Sequence, residues 1–113
     1  MKASEVLCNA RDILNDGWHK GWFSDGRGNY CAIGACMKAA EVGMMTPEVF
    51  QRLPRKSGYR GATAALSDKL FEMTGEGELS EYNDDPKVTK QDMLDLFDKT
   101  IAGLEEKGLR RLS

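Results

Sequence analysis

Thr89-Lys-Gln-Asp-Met-Leu-Asp-Leu-Phe-Asp-Lys-Thr-Ile-Ala-Gly-Leu-Glu-Glu-Lys107 decides the fold class. Met93, Leu94, Phe97, Ile101 and Leu104 recur at three- and four-residue intervals and share one seam of a helix from Lys90 to about Lys107. Thr89 and Asp92 stand in the positions of a capping box, with Asp shorter than the preferred Glu. Gly108 closes the helix, and Leu-Arg-Arg-Leu-Ser forms a loose tail. A helix this amphipathic needs other helices to cover its apolar seam.

The rest of the chain supplies them. Ser4 to Asn15 carries Val6, Leu7, Ala10, Ile13 and Leu14 on one stripe, with Ser4 as N-cap and Gly17 as a left-handed stop. A second helix starts with Asn29 as its cap and runs to Gly43; Ala32, Gly34, Ala35, Ala39 and Ala40 make it a close-packing helix for the middle of the fold. Thr46-Pro47-Glu48 starts a short helix that Pro54 ends. Another runs from about Gly61 to Thr74 with Ala62, Ala65, Leu66, Leu70 and Met73 inward, and Gly75 stops it. The expectation is an all-α bundle of four longer helices and one short one, in a single domain over residues 1–113 with an ordered core at about 4–107. Gly17, Gly21, Gly26 and Gly28 exclude a helix between residues 16 and 30, leaving a loop or a small hairpin turned at Asp25-Gly26.

Composition removes several function classes. The 113 residues carry a net charge of −2, against general binding to nucleic acid. No apolar run spans a bilayer, and Glu5 and Arg11 break any signal core, so the expected location is the cytoplasm. Cys8, Cys31 and Cys36 fit reduced thiols there. The near-neutral total hides four positive charges between Arg52 and Arg60 and six negative ones between Glu72 and Asp85.

Two function classes lead, with nucleic-acid binding through the basic residues 52–60 a third, less favoured one. In the first, Trp22 and Phe23 beside the basic residues Arg55 and Arg60 bind a partner protein, since aromatics and arginine dominate binding hot spots. In the second, Cys31 in the first turn of its helix is a nucleophile with His19 and Asp84, its thiol pKa lowered by the helix dipole. The competing reading makes Cys31 a buried apolar contact. Asn83-Asp84-Asp85-Pro86 lacks the oxygen ladder of a calcium loop and reads as turn and capping chemistry. No phosphate loop, zinc-protease pair or serine elbow occurs, and neither a metal nor a cofactor is expected.

The motifs Trp18-x-Lys20-Gly21, Tyr30-Cys31-Ala32-Ile33-Gly34-Ala35 and Tyr82-Asn83-Asp84 resemble an uncharacterised domain family of actinobacteria, other bacteria and their phages. The likeness spans roughly residues 5 to 104; Tyr82 departs from it, standing where many members carry tryptophan. It implies no reaction, but marks Trp18, Cys31, Gly34, Asn83 and Asp84 as a structural motif. The backbone N–H groups opening the Cys31 helix need acceptors, so a clasp is expected in which Asp84 docks on residues 29–34. In a phage setting the bound partner is a host factor.

Overall fold

The computed structural model describes residues 2–21, 25–40, 52 and 58–112, with side chains up to residue 105. Among them are five helices: α1 (Ala3–Asp16), α2 (Ala32–Ala39), α3 (Gly58–Thr74), α4 (Leu79–Asp84) and α5 (Lys90–Leu112). The all-α class is as expected. The expected short helix after Thr46 lies outside the described residues, and the six-residue helix seen is α4, inside the acidic stretch. That helix escaped the sequence reading because its acids mask a short inward pattern, Leu79 and Asn83 buried with Tyr82 half-buried.

Helix α1 packs against α2, α3 and α5, while α2 also meets α3 and α4. The radius of gyration, 13.4 Å, is that of a close-packed chain of this length. Six of the eight residues of α2 are buried, so its small side chains do serve close approach. Val6, Leu7, Leu14, Leu66, Leu70, Met93, Leu96 and Phe97 form the dry centre. Leu96 lies off the seam read from sequence; it is buried because α1 and α3 both flank α5 and widen its covered arc. Tyr59 joins the core from the first turn of α3, whereas Met73 is 42% exposed, contrary to its expected inward place. Arg11 reaches from α1 to Asp98 of α5 with two hydrogen bonds, of 2.5 and 3.1 Å.

Several helix ends differ from expectation. Lys2, not Ser4, is the N-cap of α1. Residue Cys31, not Asn29, caps α2, and its thiol accepts the Gly34 N–H at 3.3 Å. Helix α2 ends at Ala39, short of Gly43. The α5 backbone passes through Gly108 to Leu112, replacing the expected loose tail. One glycine costs about 1 kcal/mol of helix propensity, and the leucines and arginines after it favour helix. The Thr89–Asp92 box forms as expected, each residue's backbone N–H donating to the other's side chain at 2.9 and 3.1 Å. Gly75 ends α3 at φ +82, its N–H donating to Phe71 O at 2.8 Å.

Gly17 is the informative correction. Its φ is −173, extended rather than left-handed. The returning loop crosses directly over it: Tyr30 N–H donates to Gly17 O at 3.0 Å, and a Cβ there would stand 2.8 Å from Gly28 O. Among the described residues the loop makes one parallel bridge, Trp18 to Tyr30. Asp25 shapes the turn by accepting N–H groups from Arg27 and Asn29 and the Asn29 side-chain amide. Those three donors hold its carboxyl down at about 2. Gly17→Ala forces backbone against backbone and is expected to lose about 1–3 kcal/mol in urea unfolding; wild-type stability would refute the close approach.

Candidate functional site

The motif residues meet at one place, between the 17–21 loop, the start of α2 and the end of α4. Asn83, only 2% exposed, is the hub. Its Oδ1 accepts Trp18 Nε1–H at 2.8 Å and the Ala32 backbone N–H at 3.0 Å. Its amide nitrogen donates to His19 O and to Asp84 Oδ1, both at 3.2 Å. The expected docking of Asp84 on residues 29–34 is not made; the contact to the start of α2 is made by Asn83 instead. Asparagine suits this position because a buried amide both accepts and donates, whereas a carboxylate only accepts. Asp84 is exposed and accepts the Gly21 N–H at 2.7 Å, binding the loop rather than the helix.

Lys20 completes the clasp and was not singled out from the sequence as a site residue. Its ammonium donates to Asn83 O at 3.2 Å, Asp85 O at 2.5 Å and Val88 O at 2.9 Å, and lies 4.7 Å from the centre of the Trp18 ring. Carbonyls at a helix C-terminus attract cations, and α4 has no basic residue in its own last turn. That deficiency, beside the isolated Lys20 of the Trp18 motif, was the available signal.

The thiol arrangement is unlike a nucleophile site. Cys31 is buried, and burial pushes its thiol up more than the Gly34 and Ile33 amides pull it down, with the Asp84 charge adding to the rise. A nucleophilic thiol needs the opposite shift. His19 contributes its backbone, donating N–H to Tyr30 O at 3.1 Å, while its buried Nε2 has no hydrogen-bond partner among the described residues. Neither His19 nor Asp84 hydrogen-bonds the Cys31 sulfur among the described residues. Cys36 is pushed up to about 12 by burial, and Tyr59 likewise, with Cys36 and Cys31 nearby. Gly34 sits buried in the first turn of α2, its N–H held by Cys31.

Cys8 is the exposed thiol of α1. Alkylation of the folded protein is expected to label Cys8 and to reach Cys31 and Cys36 only after unfolding; rapid, selective labelling of Cys31 would reverse this assignment. Among the described residues no three His, Cys, Asp or Glu side chains gather as a metal site. Of the expected binding residues, Arg60 is half-buried on α3, and Trp22, Phe23 and Arg55 lie outside the described residues.

These features define a small all-α domain whose most specific polar cluster fastens a glycine-rich loop across two helix ends. The chain belongs to a family of unknown function, DUF6197, which matches residues 1–103. No curated protein and no solved structure matches the chain. No helix among the described residues is long and apolar enough to cross a membrane.

Proposed function

We propose that this protein is a non-enzymatic protein-binding module in which the Trp18–Asn83–Lys20 clasp is scaffolding. The observation that carries this reading is the use of the motif's polar groups. The Asn83 amide, the Trp18 N–H, the Lys20 ammonium and the Asp84 carboxylate all hold the loop in place, and the thiol beside them is buried. The loop is held on both sides of Trp22 and Phe23: Gly21 by Asp84, and Asp25 by its 3.2 Å bond to Asn29 O. Trp22 and Phe23 follow this anchored backbone in the sequence, and aromatic residues dominate binding hot spots. Arg55 and Arg60 are the basic residues that the sequence offers to such a contact.

Three cysteines without a disulfide support a reducing cytoplasm in a bacterium or a phage-infected cell, with a host factor as the partner in the phage case. The test is quantitative capture from lysate by wild type and by Trp22→Ser, with thermal melting to show that the variant is folded. A protein retained by wild type and lost by the variant supports the reading. Identical captured sets overturn it.

A further inference from the structure

We propose that the groove between the end of α3 and α4 docks an amphipathic basic segment of a partner protein. The inference rests on the protein-binding reading and gives it a second surface. The groove has a volume of about 300 Å³, with Leu70 and the Tyr82 ring contributing apolar wall and Glu76, Glu78, Glu81 and Asp85 supplying carboxylates. Among the described residues, none of those four acids has an ion-pair partner; the ion pairs there are Arg11–Asp98 and Lys69–Glu72. The last turn of α3 carries no basic residue, so its carbonyl end adds to the negative field. Burial raises the Tyr82 hydroxyl, and the Asp92, Asp95 and Asp85 charges raise it further, so the same field extends across the α4 side.

Carboxylates without an ion-pair partner among the described residues by themselves make a solvated surface, and Asp85 is partly engaged, its carboxylate accepting the Lys87 N–H. The apolar side chains beside them require another account. Phe71 is 62% exposed and Met73 42%, and these are the large exposed apolar residues of the described surface. At about 100° per residue, Leu70 and Thr74 line the groove with Phe71 on one side and Met73 on the other. A lysine or arginine head would be met by the carboxylates while its methylene stem and an adjoining apolar side chain cover Phe71 and Met73. Charge complementarity selects the basic partner, and the apolar flanks distinguish a peptide segment from a free cation.

The probe is a labelled amphipathic peptide of lysine and leucine, titrated by anisotropy against the full chain, with a matched glutamate-leucine peptide as control. Binding is expected to weaken about tenfold in the exposed double variant Glu78→Gln/Glu81→Gln and about tenfold in Phe71→Ser, each change equal to about 1.4 kcal/mol. Added salt should weaken binding to wild type more than to the charge variant. Equal affinity in wild type and both variants overturns the proposal. So does binding of the glutamate peptide, or wild-type self-association that the Phe71→Ser change abolishes. A failed groove with Trp22-dependent lysate capture intact removes this surface alone, whereas loss of that dependence removes the broader reading.

Discussion

Asn83→Ala is expected to cost about 3–5 kcal/mol, since each donor left buried and unpaired costs about 1–3 kcal/mol. The variant strips Trp18 Nε1–H and the Ala32 N–H of their common acceptor and releases His19 O. Against a total stability of about 5–15 kcal/mol for a small domain, that is a large share. Urea unfolding followed by tryptophan fluorescence measures it, and a loss under about 1 kcal/mol would show that water replaces the amide without penalty. Asn83→Asp separates geometry from charge. The carboxylate still accepts from Trp18 and Ala32 but faces His19 O and the Asp84 carboxylate; burial and like charge raise its folded-state pKa above the unfolded value, against the opposing pull of the Lys20 ammonium, which bonds the backbone carbonyl and not the side chain. Stability of that variant should therefore rise as pH falls and the new acid takes up a proton. In Asn83→Ala there is no such group, and no matching recovery is expected.

Phe97→Ala should produce a loss of similar size for a different reason. Phe97 is fully buried on α5 within the apolar core that this helix shares with α1 and α3. Truncation of a core phenylalanine costs about 3–5 kcal/mol through lost transfer energy and the cavity left behind. Phe71→Ala, at 62% exposure, is the internal comparison and should stay within about 0.5 kcal/mol. Equal losses at the two positions would contradict the assignment of inside and outside. The comparison also protects the docking proposal, because a Phe71 variant that loses peptide binding must do so without unfolding.

The clasp explains why the three motifs belong together although they are far apart in the chain. The Asn83 amide bonds residues 51 and 65 positions away. Each partner solves a local deficit: the first amide of α2 lacks an acceptor, the indole N–H is half-buried, and the end of α4 lacks a cation. The cluster thus joins the start of one helix to the end of another through a loop that has no strand ladder among the described residues. A glycine-rich loop of this kind needs such external anchoring, since its backbone groups are otherwise open to water.

Local chemistry was legible in the sequence. Periodicity marked α1, α3 and α5, the Thr89–Asp92 box and Gly75 marked their ends, and small residues marked the buried α2. Each of these depends on neighbours within about one helical turn, which the chain order displays directly. The motif residues were also visible as a set, but their roles were not. Asn83 rather than Asp84 sits at the hub, Lys20 caps a distant helix, Gly17 clears the path of a returning backbone, and Cys31 is buried in the cap of α2 instead of exposed in its first turn. The burial of Cys31 was the favoured expectation and holds; the other outcomes turn on which side chain, among adjacent polar candidates, faces the unpaired groups of another segment. Packing of the helices sets that facing; residue order by itself determines the candidates, and only the tertiary structure chooses among them.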